Sequence, residues 1–157
     1  MAITSAICNS FKQEILQGEH NFTASSGNTF NIALYTSDAT LNKSTTAYTT
    51  SNEVSGSGYT AKGAALTSST PVLSTDTAVC DFSDVSFTSA SFTARGCLIF
   101  NDSATSDPAV CAIDFGSDKT VTSGTFTIQF PTADATNAII RIALGGSNGC
   151  PLLELIR

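Results

Sequence analysis

The chain has 157 residues, the size of one domain built on one core. Only 13% of its residues are charged, and the net charge is −6. Seven scattered basic residues form no patch, which excludes a phosphate-reading nucleic-acid binder from the expected partners. Ten Phe and a mean hydropathy of +0.14 exclude disorder of the whole chain. No apolar run is long enough to span a bilayer or serve as a secretory leader, so neither membrane nor an N-terminal export signal is expected.

Residues 3–17, ITSAICNSFKQEILQ, carry a helical period. Ile3, Ile7, Phe11 and Ile15 recur every fourth residue, and Leu16 widens the stripe. Thr4 or Ser5 is placed to cap the start, and Gly18 to end the helix. The stripe has two uses: to close one end of its own fold, the usual fate of a lone terminal helix, or to dock on a neighbouring subunit.

After the helix the period changes to two. Candidate strands are 30–36, 46–50, 58–66, 70–74, 78–87, 92–100, 109–115, 124–130 and 138–144. Alternation slips between Phe82 and Val85, predicting a bulge near Ser83-Asp84. Asn101-Asp102-Ser103, Ser106-Asp107-Pro108 and the stretch from Gly116 to Gly124 read as turns. Ser and Thr make up roughly a quarter of the chain; Thr suits half-exposed strand faces and Ser suits turns. Many short strands at this spacing predict an all-β, antiparallel β-sandwich, Ig-like or jelly-roll-like, with one N-terminal amphipathic helix. The domain is expected to occupy 1–144.

Residues 145–157 read as a separate arm. Gly145, Gly146 and Gly149 form a hinge, Pro151 ends any strand, and Leu152, Leu153, Leu155 and Ile156 form an apolar end. That end needs cover, from its own core or from a partner.

Chemistry is sparse. His20 would have to serve as base in any Ser-His-Asp arrangement, and its polar setting, GEHNF, predicts a solvated loop instead. Asp81, Asp84 and Asp114 are the candidates for paired-acid chemistry, and loop or edge solvation is their expected role. Gly56-Ser57-Gly58 with Lys62-Gly63 fails the spacing of both phosphate-loop motifs and reads as a hairpin turn. Arg95 and Arg141 lie inside apolar strands, with Asp81, Asp84 or Asp114 as possible ion-pair partners. Five cysteines without a C-x-x-C, beside a single His, predict buried thiols at Cys80, Cys97 and Cys111 and no structural zinc. No catalytic, cofactor-binding or metal residue is assigned.

The segments IALYTSDATL (32–41), AYTTSNEVSGSGYTAKGAAL (47–66), FTARGCLIFND (92–102) and IDFGSDKTVTSGTFTIQFPTADATNAIIRIA (113–143) together resemble small virion proteins of tailed bacteriophages, of the cyanophage and marine-phage type. The opening ICNSFKQEILQGEHNF (7–22) is similar too. The resemblance ends near Ala143. It implies a non-enzymatic capsid decoration or cement protein, made and folded in the bacterial cytoplasm and placed on the virion exterior. It implies the major capsid protein as partner, and a homodimer or homotrimer suits the symmetry axes of a shell. The expected contact residues are Ile3, Ile7, Phe11 and Ile15 on the helix and Leu152, Leu153, Leu155 and Ile156 on the arm. The alternative is a tail or fibre module that binds a host receptor or glycan, with Tyr35, Tyr48 and Tyr59 as its aromatic candidates.

Overall fold

Phe30–Tyr35, FNIALY, is buried along nearly its whole length, and its position explains why. This strand, β2, lies inside a five-stranded sheet and pairs antiparallel on both sides. The computed structural model describes residues 2–143, and within them the fold is all-β, antiparallel and sandwich-like with one short helix. The remaining strands are β1 (Ala6–Ile7), β3 (Ala64–Leu66), β4 (Val72–Ser74), β5 (Thr77–Cys80), β6 (Val85–Asn101), β7 (Ala109–Ile128) and β8 (Ile140–Ile142). The five-stranded sheet runs β1-β7-β6-β2-β3, and a three-stranded sheet runs β4-β5-β8.

Two expected strand pairs are each one long strand. The runs at 92–100 and 109–115 extend into β6 and β7, of 17 and 20 residues, which pair along most of their length. The expected turn from Gly116 to Gly124 does not interrupt β7. Its turn-forming residues are absorbed as irregularities: Gly116 has φ +78 and Ser123 φ 47, and the ladder shifts register between Ala94 and Gly96 and again on either side of Ala90. Turn chemistry there bends and twists a ribbon rather than ending it. In the 78–87 run the reverse holds. The predicted bulge is a break, with β5 ending at Cys80 and β6 beginning at Val85, while Phe82 makes a lone bridge to Ser68. The predicted strand at 46–50 is a loop strapped to the β6–β7 turn by Tyr48 N–H to Asp107 O at 3.0 Å and Ala109 N–H to Thr46 O at 2.9 Å.

The helix is shorter than its apolar stripe. Helix α1 spans Asn9–Leu16, not 3–17. The residues ahead of it are extended: Ala6 and Ile7 pair with Ala112 and Cys111, and Ile3 bridges Leu41. A spacing of four keeps residues on one side of a strand as well as on one side of a helix, so Ile3 and Ile7 fit both readings. The exposed edge of β7 decides between them by taking up their backbone groups. Neither Thr4 nor Ser5 caps the helix; the N-cap position is Cys8, and Ser5 Oγ accepts the Asp114 N–H at 2.9 Å. The other end follows expectation. Gly18, at φ +76, closes a Schellman turn, with Glu19 N–H to Glu14 O at 3.0 Å and Gly18 N–H to Ile15 O at 3.3 Å.

The core lies against the β2–β6–β7 centre. Phe30, Ile32, Leu34, Leu98, Ile99, Phe100 and Val110 are fully buried there. Phe22 stacks on Phe30 with ring centroids 4.2 Å apart and planes within 5°, and Phe82 meets both rings at an angle. Cys8, Cys80, Cys97 and Cys111 are buried free thiols, and burial raises each pKa, to about 11 for Cys8 and Cys80 and about 12 for Cys97. They act as small apolar side chains rather than nucleophiles.

Candidate interaction surface

The residues best equipped for chemistry are consumed by the fold. Glu53 is the hub of one network: its carboxylate accepts Tyr48 OH at 2.6 Å, Tyr59 OH at 2.7 Å and Lys62 N–H at 2.8 Å. Tyr59 OH in turn accepts the Leu34 N–H of β2 at 2.9 Å, so the network anchors the 47–63 loop to the central sheet. Burial raises the Tyr48 phenol to about 12, helped by the Glu53 carboxylate, and pushes Tyr59 higher still. Lys62 Nζ pairs with Asp102 at 2.7 Å and Asp107 at 2.9 Å, and these hydrogen bonds raise its pKa. A turn is present at 60–63, but not the expected hairpin: β3, which follows it, pairs with β2, and Ser57 bridges Ser91. Gly63 adopts φ +67 with the Ile32 carbonyl against the place a Cβ would occupy, so both conformation and space demand glycine.

His20 corrects the sequence expectation: it is buried, not a solvated loop residue. Its ring lies among Phe11, Phe22 and Phe30, 4.9 Å from the Phe11 centroid. Asn101 Oδ1 accepts the Ser103 N–H, which turns the Asn101 amide nitrogen toward Glu19 O and His20 Nδ1. His20 Nδ1 therefore accepts, and Nε2–H donates to Glu14 Oε2 at 2.9 Å. Both ring nitrogens are used in tying α1 to the end of β6. The signal missed in the sequence is Phe22, the apolar end of GEHNF, which joins Phe11 and Phe30 around the ring.

The candidate acids are also structural. Asp81 is buried, and its carboxylate accepts N–H groups of Phe82 at 2.9 Å and Ile139 at 3.3 Å, fastening the start of β8 to the end of β5; burial raises its pKa. Asp84 accepts the Phe130 N–H at 2.8 Å. Asp114 takes Arg95 Nε at 2.9 Å and the Gly116 N–H at 2.9 Å, which lower its pKa. Of the partners open to Arg95, Asp114 is the one used, with Asp118 at 3.8 Å. Among the described residues no group of three or more His, Cys, Asp or Glu is placed to hold a metal ion, and no helix is long and apolar enough to cross a membrane.

The helix stripe is divided in use. Ile3 and Phe11 are buried in the chain's own core, Ile3 lying over Gly96, where a Cβ would come within 2.9 Å of its Cδ1. Ile7 and Ile15 are half-buried at its margin. Ile7 of β1, Ile15 and Leu16 of α1, and Ile140 and Ile142 of β8 line an apolar groove of about 340 Å³, with Lys12 and Arg141 among its walls. A second depression of about 390 Å³ shares Ile15, Ile140 and Ile142 and continues to Pro71 and Val79. The exposed large apolar residues among those described are Leu16 (89%), Leu73 (73%), Val72 (56%) and Ile142 (55%). All four lie on α1 or the three-stranded sheet. The sequence reading missed Val72, Leu73 and Ile142, because an apolar residue in a short strand gives no sign of which side it faces. Leu152, Leu153, Leu155 and Ile156 lie outside the described residues.

A further depression of about 470 Å³ lies over the far half of β7, lined by Ile113, Phe115, Phe126, Ile128 and Phe130, with Lys119 beside them. The tyrosines do not form a platform. Tyr35 is buried with its OH on Thr49 O at 2.6 Å, Tyr48 lies against Phe100, and Tyr59 packs on Phe87 and Phe92.

Comparison with protein-family models, with curated proteins and with solved structures finds no match to this chain.

Proposed function

We propose that this protein is a non-enzymatic virion component of a tailed phage, a decoration or cement protein on the outer surface of the capsid. The observation that carries the proposal is the pairing of chemically saturated polar clusters with large apolar residues left exposed on α1 and the three-stranded sheet. His20, Glu53, Asp81 and Asp114 each spend their hydrogen bonds on the fold. The exposed apolar residues gather on α1, β4 and β8. The resemblance of segments 32–41, 47–66, 92–102 and 113–143 to phage virion proteins supports the same reading. Binding of this kind needs a rigid body and a surface repeated many times, so that modest contacts gain strength through multivalency. The partners are the major capsid protein and further copies of the chain in a dimer or trimer, and the acidic surface is suited to the exterior rather than to packaged DNA. Burial of Ile3 and Phe11 leaves Ile7, Ile15, Leu16, Ile142, Val72 and Leu73 as the contact residues of the domain, beside those of the arm. The receptor-binding alternative is weakened, because Tyr35, Tyr48 and Tyr59 are engaged internally.

The test is quantitative mass spectrometry of purified particles of the phage that encodes the chain. Hundreds of copies per particle are expected. A handful of copies, or none, would overturn the proposal.

A further inference from the structure

We infer that the exposed end of the three-stranded sheet in one copy of the chain seats in the β7 depression of a second copy, with Leu73 entering it and Asp76 meeting Lys119. This contact stands whether or not the chain belongs to a virion.

The knob is a row of side chains in register. Leu73 pairs with Ala78, and Ala78 pairs with Ile142, so the three share one face of the sheet. One pleat along the same face, Cys80 and Ile140 pair and are buried, whereas Leu73 and Ile142 are largely exposed. The row is therefore the part of that face that runs past the core. Apolar area of this kind is costly to leave in water.

The hole is made by a bend. Phe115 and Phe126 both lie on β7, far enough apart to be separated by about 36 Å in a straight strand, yet their ring centroids are 6.3 Å apart. The strand curls back on itself, and the depression of about 470 Å³ lies inside the curl. Deleting one core leucine leaves a cavity of about 150 Å³, so the space takes Leu73 together with a neighbouring side chain.

Charge and topology select a second copy as the occupant. Lys119 is the one charged residue lining the depression, and among the described residues its ammonium bonds the Ser117 hydroxyl and no carboxylate. Asp76, in the turn between β4 and β5, borders the knob and enters no ion pair among the described residues. An acid beside the knob and a base beside the hole fix the orientation of docking. A chain does not fill its own hole. Ile139, a wall of the depression, is held level with Asp81 by its N–H, at the far end of β5 from the Asp76 turn. The strand between them spans about 16 Å. The contact thus joins different surfaces on two copies, head to tail, and closes into a ring or runs on as a row of subunits.

Carbodiimide cross-linking of an equal mixture of ¹⁵N-labelled and unlabelled full-length protein tests this. The expected product joins the Asp76 carboxyl to Lys119 Nζ, with mixed-isotope pairs in their statistical share. Both side chains are exposed, so charge reversal spares the fold. In sedimentation velocity, Asp76→Lys and Lys119→Glu should each weaken self-association about tenfold, and the double variant should restore it. Pairs of a single isotope only would overturn the inference. So would joining of Lys119 to another carboxyl in place of Asp76, joining of Asp76 to Lys12 in place of Lys119, a protein that stays monomeric at every concentration, single variants that associate unchanged, or a double variant that restores nothing.

Discussion

The two sheets are built to different standards. In the five-stranded sheet, β2 is buried along nearly its whole length between the 17-residue β6 and the short β3, and most side chains around it are closed to solvent. In the three-stranded sheet β4, β5 and β8 have three or four residues each, and Val72, Leu73 and Ile142 are exposed. The first is a framework that closes on itself. The second is an apolar surface beside that framework, its strands β5 and β8 tied by Asp81 and its neighbour Phe82 packed on Phe30 of β2. Stability and contact are thereby assigned to different parts of one small domain.

The largest effect should come from the framework. Phe30→Ala removes a fully buried ring from the Phe22–Phe82 cluster and is expected to cost about 3–5 kcal/mol, measured by urea unfolding followed by circular dichroism. A loss below 1 kcal/mol would break the contrast between the sheets. Next, Glu53→Ala strands Tyr48 OH, Tyr59 OH and Lys62 N–H and should cost about 2–3 kcal/mol by the same measurement. Hydrogen exchange sharpens the comparison without mutation. The amides of Val79 and Arg141 should exchange by local opening at least tenfold faster than those of Ala33 and Leu98, which open only with the whole domain.

A smaller effect is expected from pH. Arg95, and then the Gly116 N–H, hold the Asp114 carboxyl below its ordinary range. Its stabilising contribution is complete above the usual carboxylate pKa of about 3.9 and is lost as pH falls through the lowered folded value. Asp114→Asn should flatten that acid limb of the unfolding curve and leave its shape above pH 5 unchanged. The smallest effect belongs to the outward face. Leu73→Ser should change the stability of the isolated protein by no more than about 0.5 kcal/mol while weakening retention on capsids in a co-sedimentation assay. A cost near that of a core residue would mean that β4 is part of the framework after all.

Much of the framework was legible in the sequence. The run at 30–36 was legible as a strand, the runs at 92–100 and 109–115 fall inside the two strands of the long hairpin, and Gly18 marked the end of the helix. Chain-local signals failed where a distant segment decided the outcome. Ile3 and Ile7 have helical spacing, but the edge of β7 draws them into extended pairing. Ser123 and Gly116 have turn chemistry, but their partners across the hairpin keep the ladder running. His20 sits in a polar sequence, and Phe11 and Phe30 from neighbouring elements, together with Phe22 two residues on, enclose it. The apolar side was the least legible part, since Val72 and Leu73 look like ordinary strand residues until the sheet places them at its edge.

The segment from Ala47 to Gly63 has the Ser- and Thr-rich composition of a linker and no regular strand, yet Glu53 and Lys62 fasten it at both levels of backbone and side chain. Its consequence is protease resistance. Lys62 is followed by a glycine in an irregular loop, an inviting bond for trypsin by sequence. Its ammonium is clasped by two aspartates and its own backbone is held at φ 70 by the Glu53 carboxylate, a shape that a protease cleft, which binds extended chain, cannot take without first tearing the loop from the sheet.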